Sequence, residues 1–193
     1  MMITALLLSV IKFTAWLLTS SNAILTDLAE SIVHFAAAAM GLSVLKITGK
    51  ANRKTQLKSQ HLSAAVEGAL IMTAAVSIAV KAIKDFQKPH IVADEIGTGI
   101  ILITICGVIN FVLGIHLQQR GTKHNSPVLE SHGRHLKTDA YSTAALLTGL
   151  VALYLFPYDE SDNILALIFA VVIGYNGITI IKKGIRGIFS NSN

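Results

Sequence analysis

Stretches of roughly 20 apolar residues recur along the chain between short polar segments, and they predict helices long enough to cross a bilayer. Six such runs fall near residues 2–20, 23–45, 62–83, 96–117, 138–157 and 163–181. None alternates apolar and polar positions as the wall of a transmembrane barrel must. Pro89, Pro127 and Pro157 lie between runs, where a missing N–H costs least. The expected fold is therefore an all-α membrane protein, a six-transmembrane-helix bundle forming a single domain over residues 1–193. Little sequence is left for a soluble C-terminal domain. The first run has neither a basic start nor a convincing small-residue cleavage site, so it reads as a helix of the bundle rather than a signal peptide.

Composition fits lipid. The chain is 52% hydrophobic and 14% charged, with a mean hydropathy of +0.60, whereas soluble domains carry about a quarter charged residues. Its single cysteine, Cys106, lies inside a run, which excludes a disulfide framework and a cysteine metal site. The formal net charge of +5 is unevenly spread. Lys46, Lys50, Arg53, Lys54 and Lys58 follow the second run without an acid, Arg120, Lys123, Arg134 and Lys137 flank the fifth against Glu130 alone, and Lys182, Lys183 and Arg186 follow the sixth. The alternate connections are uncharged (TSSN), balanced (81–95) or acidic (PYDESDN). The positive-inside rule then places both termini in the cytoplasm, in a multi-pass protein of the cell (inner) membrane. No aromatic residues interleave the basic runs, so nucleic acid is not an expected partner.

Ionisable residues inside the runs carry the chemistry, because burying one in lipid costs about 2.5–3.5 kcal/mol on the mildest scale. Glu30 and His34 stand one helical turn apart in the second run, and His135 and Asp139 do so in the fifth. Asp27, Glu30, His34 and Gly41 share one helix face, as do His132, His135, Asp139 and Ser142 or Thr143. A single His–Asp pair is as readily a helix–helix hydrogen bond as a ligand pair. Two pairs on two helices offer four ligands, enough for a tetrahedral site of two imidazoles and two carboxylates. That set favours zinc over magnesium or calcium, which prefer oxygen alone. Its members bind metal only when deprotonated, so metal and protons compete, the minimal requirement for exchange. Asp27 is either a supporting carboxylate on the exit path or a residue near the outer interface. His132 reads as solvated at the cytoplasmic mouth, as do His90, His116 and His124 near loops. His61 and Glu67 are assigned to the inner interface, and Lys81 and Lys84 are long enough to extend outward. Lys12 pairs with a carboxylate or snorkels. Small residues in the second and third runs (Ala36, Ala37, Ala38, Ala39, Gly41, Ala64, Ala65, Gly68, Ala74, Ala75) fit close bundle packing, with a contact between two copies on the third helix as a further use. No zincin, nucleophile-elbow or Walker motif occurs, so no enzyme is expected.

IKFTAWLLTSSNAILTDLAESIVHF and HLKTDAYSTAALLTG carry a family likeness. The chain resembles the transmembrane domain of the cation diffusion facilitators, zinc-type metal–proton antiporters, over nearly its whole length. DNILALIFAVVIGYNG is similar to the family's sixth helix, and Lys12, Asn110 and Pro89 fall where the family often has lysine, asparagine and proline. The resemblance implies transport-site roles for Glu30, His34, His135 and Asp139, with Asp27, His132, Lys12 and Asn110 as neighbours or pathway residues. It also implies Zn2+ as transported ion (alternatives Cd2+, Co2+, Fe2+ and Mn2+), no prosthetic group, and a homodimer in the bilayer exporting metal from the cytoplasm. Two departures stand out. The second-helix pair runs Glu–His where the family usually ends in aspartate, and the family's soluble metal-binding domain has no counterpart before the chain stops at GIRGIFSNSN. A partner subunit or scaffold that holds metal without moving it is the alternative.

Overall fold

A computed structural model describes residues 2–48, 53–86, 95–124, 127–156 and 160–190. Among these are six α-helices and no strand: α1 (Met2–Thr19), α2 (Asn22–Thr48), α3 (Arg53–Asp85), α4 (Ile96–Lys123), α5 (Pro127–Leu155) and α6 (Ser161–Ser190). Lys50, Pro89, His90, Asp94 and Pro157 lie outside the described residues. By length and composition, four helices can cross a membrane, along Asn22–Gly41, Lys54–Asp85, Ile96–Lys123 and Ser161–Phe189. Thr4–Thr19 is apolar but shorter. In α5, Glu130, His132, Arg134, His135, Lys137 and Asp139 lower the hydropathy of its first half.

Four helices run well beyond their apolar runs. α3 begins at Arg53 rather than near 62, α4 continues to Lys123, α5 starts at Pro127 rather than near 138, and α6 continues to Ser190. The added residues include Lys, Gln, Leu and Arg, good helix formers that need no lipid to stay helical. Pro127 occupies the first helical position, where its missing N–H and fixed φ suit the start of a helix. Hydropathy marks where lipid begins, not where a helix does.

α3 lies along α6 and α4 along α5, while α1 and α2 bridge the two pairs. Both pairs are antiparallel and are held close by glycine. On α4, Gly107, Gly114 and Gly121 recur every seven residues and meet Thr143, Gly133 with Lys137, and Glu130 in turn. On α6, Gly174, Gly177, Gly184 and Gly187 meet Ala75, Gly68 with Ile71, Ala65, and His61. A Cβ on Gly114 would fall 3.0 Å from the Gly133 carbonyl oxygen, and one on Gly68 would fall 2.8 Å from that of Gly177. In lipid, such close backbone approach drives association, because burial from water no longer does. Outward, Leu7, Ile101, Val171 and Tyr175 are among many large exposed side chains, a surface too apolar for water.

The end carrying the α1–α2 turn is closed. Ser20 adopts φ 54°, which ends α1 and lets α2 begin two residues later. The buried Asp162 of α6 accepts hydrogen bonds from Ser21 Oγ (2.5 Å), Asn22 N (2.6 Å) and Ala23 N (3.3 Å). It thereby caps α2 from another helix and places a carboxylate at the positive end of its dipole. Asn22 also donates to Asn163 (2.7 Å) and Asp85 (2.9 Å). Lys81, rather than extending outward, donates to Asp85 at 2.7 Å and to Asn22. Beneath this network, Ala15, Ala23, Ile24, Ile96, Ile103, Leu146, Leu150 and Leu153 form an apolar core shared by α1, α2, α4 and α5.

These seams set an expectation. Gly133→Ala forces α4 and α5 apart, because its Cβ would meet the Gly114 oxygen at 2.7 Å and the backbone of Gln118. It should cost about 1–3 kcal/mol, as overpacking does, and lower the thermal unfolding midpoint of the detergent-solubilised protein. Gly41→Ala, with nothing within 4 Å, should leave the midpoint unchanged or raise it. Equal midpoints would contradict the seam.

Candidate metal centre

α2 and α5 bring three of the four expected ligand residues directly together. Each of His34, His135 and Asp139 offers a nitrogen or carboxylate oxygen within 4.8 Å of those offered by the other two. The His34 and His135 rings meet edge to face, with centroids 4.7 Å apart at 88°. Within α5, the i, i+4 step sets His135 Nε2 3.9 Å from Asp139 Oδ2. Glu30 stands outside the trio but reaches it through His34, with Oε1 3.6 Å from Nε2. Atoms bound to tetrahedral zinc at about 2.0–2.1 Å lie about 3.3 Å from one another. The separations here are therefore near a tetrahedral edge and too long for hydrogen bonds.

The cluster lies midway along α2, with His34 the thirteenth of its 27 residues, about 18 Å along the axis from Asn22. Its accessibility is graded. Glu30 and His34 side chains are 19% exposed, Asp139 24% and His135 45%. The closed end of the bundle lies on the α2 N-terminal side. On the other side, a cavity of about 540 Å³ opens between α4 and α5, lined by Ile115, Gln118, Gln119, Thr122, Lys123 and Lys137.

The neighbouring positions separate into distinct roles. Asp27, left open between a supporting carboxylate and an interfacial residue, is buried against Lys12, with Nζ 2.8 Å from Oδ2. Lys12 also donates to Ser31 Oγ at 2.8 Å, and Ser31 donates to the Asp27 carbonyl at 3.0 Å. Asn110 is buried on α4, and its side-chain Oδ1 has no hydrogen-bond partner among the described residues. His132 is half-buried, and burial together with the nearby His135 pushes its pKa below the ordinary range. His116 and His124 are exposed.

One residue at the cluster was misplaced by sequence reasoning. Glu67 of α3, assigned to the inner interface, sets Oε1 3.5 Å from His34 Nδ1. His61, assigned with it, packs instead on Gly187 of α6. The signal for Glu67 was present: it is the lone ionisable residue between Leu62 and Val80, and such a residue in an apolar run rarely lacks a partner.

These features define the class as an integral membrane protein with an ionisable cluster inside its helix bundle. The chain belongs to the cation efflux transmembrane domain family, which it matches over residues 1–189. This is a family of transporters and not of enzymes. An uncharacterised transporter of Synechocystis is 23% identical over 186 residues, covering 94% of this chain and 60% of the relative. The cation-efflux pump FieF of Shewanella oneidensis is 26% identical over 190 residues, covering 96% and 63%. The magnetosome protein MamB of Magnetospirillum gryphiswaldense is 26% identical over 186 residues, covering 91% and 60%. The chain thus spans less than two thirds of the length of these relatives.

The Lys12–Asp27 pair can be tested apart from any metal. Lys12→Met leaves a buried carboxylate without its counter-charge and should destabilise the fold by about 3–5 kcal/mol. Adding Asp27→Leu should restore most of that loss. Thermal unfolding of the two single variants and the double variant measures the coupling, and simple additivity would show that the pair does not interact.

Proposed function

We propose that this protein is a divalent-cation transporter that exchanges Zn2+ for protons at a tetrahedral site between α2 and α5. Glu30, His34, His135 and Asp139 are its ligands. The observation that carries the reading is the convergence of His34, His135 and Asp139 within 4.8 Å across two helices, in a chain of the cation efflux family. Two carboxylates and two neutral imidazoles offset a 2+ charge, which makes the ion tolerable at membrane depth. The same groups must release protons to bind, so each cycle links metal movement to proton movement. The mixed nitrogen and oxygen donors favour zinc, with Cd2+, Co2+, Fe2+ and Mn2+ as further cargo.

The same proposal assigns all six helices to the membrane and both termini to the cytoplasm. The basic segments after α2, around the α4–α5 connection and after the sixth apolar run support this orientation. The α1–α2 turn then faces outward, and the capped, apolar end of the bundle is the outer seal. Metal enters from the cytoplasmic side, where His135 is most accessible, and export completes the cycle. Assembly as a homodimer in the cell membrane rests on the family resemblance and belongs to the same proposal.

Reconstituted in liposomes with an imposed pH gradient and a zinc-sensitive dye inside, the protein should carry zinc. Asp139→Ala and His34→Ala should each lower the flux at least about tenfold, the scale of losing a metal-site group. Lys182→Gln, on the sixth helix away from the site, should not. Zinc affinity should fall as pH is lowered, because protons compete for the same ligand atoms. Flux that survives both ligand variants contradicts the proposal, and binding without flux favours the scaffold alternative.

A further inference from the structure

His34 has two ring nitrogens and an acidic residue beside each. Nε2 faces Glu30 of its own helix at 3.6 Å. Nδ1 is buried, has no aligned hydrogen bond, and lies 3.5 Å from Glu67 Oε1 on α3. A buried ring nitrogen without a partner is costly, and Glu67 is the acidic group that faces it. The position of Glu67 is fixed by its neighbour in sequence. Gly68 sits against Gly177 and Ile181 of α6, where any larger residue would push the helices apart. With Gly68 turned to α6, the next position round the helix, about 100° away, carries Glu67 to α2.

We infer that Glu67 is a positioning residue for the metal site, accepting Nδ1–H of His34 so that Nε2 is the nitrogen presented to the metal. This rests on the proposed metal site and adds a residue from a third helix to it. A metal-bound histidine commonly donates its other N–H to a carboxylate, which fixes the tautomer and the ring plane and makes the ligand more basic. Closing the 3.5 Å gap to hydrogen-bond length needs about 0.6 Å, within reach of a glutamate side chain. The consequence is mechanical. α3 belongs with α6, so the orientation of an α2 ligand depends on how the α3–α6 pair sits against α2, and a shift between them changes the quality of the site.

The test uses the full chain in lipid nanodiscs with zinc as the probe. Glu67→Ala should weaken zinc binding about 10–100-fold, the usual loss for such a supporting group. Glu67→Gln retains an oxygen able to accept from Nδ1–H and should recover most of that affinity. Long-range 1H–15N NMR of the zinc-loaded protein should show His34 protonated at Nδ1 and bound through Nε2, and this single tautomer should be lost in Glu67→Ala. Should Glu67→Ala fail to fold, the tautomer in the unmutated chain and in Glu67→Gln decides. Unchanged affinity in Glu67→Ala, or zinc held through Nδ1 of His34, overturns the inference while leaving the metal site standing. An unmutated chain that binds no zinc overturns both.

Discussion

An ionisable group inside a bilayer needs a partner held in place by protein, because no water is there to stabilise it. That constraint organises this bundle from end to end. At the α1–α2 turn, Asp162 is surrounded by three donors and joined through Asn22 to Asp85 and Lys81. Deeper in, Lys12 and Asp27 neutralise one another. Farther along the bundle, Glu30, His34, Glu67, His135 and Asp139 face one another at 3.5 to 3.9 Å along His34 and within α5, with no lysine or arginine among them. The first two clusters are complete as they stand. The third has donors and charge suited to a cation: Glu30 and Asp139 stand at ligand spacing from the imidazoles of their own helices, and Glu67 faces the opposite nitrogen of His34.

Geometry at that third cluster is delivered by packing elsewhere. The seven-residue glycine spacing on α4 sets α5 against it in a single register, and on α5 the His135 ring meets His34 of α2. Gly68 and Gly177 do the same for α3 and α6, turning Glu67 toward α2. α2 lies between the two pairs, touching α1, α3, α5 and α6, and it carries the residue through which the cluster connects. His34 contacts Glu30, Glu67 and His135. The α3–α6 and α4–α5 pairs each pack closely along their glycine seams, with α2 between them.

Much of this was legible in the sequence. Helix number and order follow from the apolar runs, and the i, i+4 spacing of Glu30 with His34 and of His135 with Asp139 points to four residues of which three, His34, His135 and Asp139, converge. Helix ends were less legible, because α3 and α5 begin in polar segments whose propensity, not hydropathy, keeps them helical. The glycine seams of α4 and α6 were not read as pairing surfaces, since a seven-residue step in a uniformly apolar helix has no polar contrast to reveal it. Glu67 was seen but assigned to an interface, because a lone carboxylate near a basic segment gives no sign of its partner on another helix. Asp162 looked like one more acid in an outer loop; its role as the cap of α2 needs a contact across 140 residues. Sequence periodicity reports which residues share a helix face, and only tertiary contact reports which faces meet.

The central claim is that a mixed imidazole and carboxylate shell binds the transported ion between α2 and α5. X-ray absorption at the zinc edge, on protein loaded with one equivalent in lipid, reads that shell directly. Expected is a four-coordinate environment at about 2.0–2.1 Å with the scattering pattern of two histidine rings, reduced to one in His135→Ala. A six-coordinate shell of oxygen alone, or a histidine signal unaffected by His135→Ala, would contradict it.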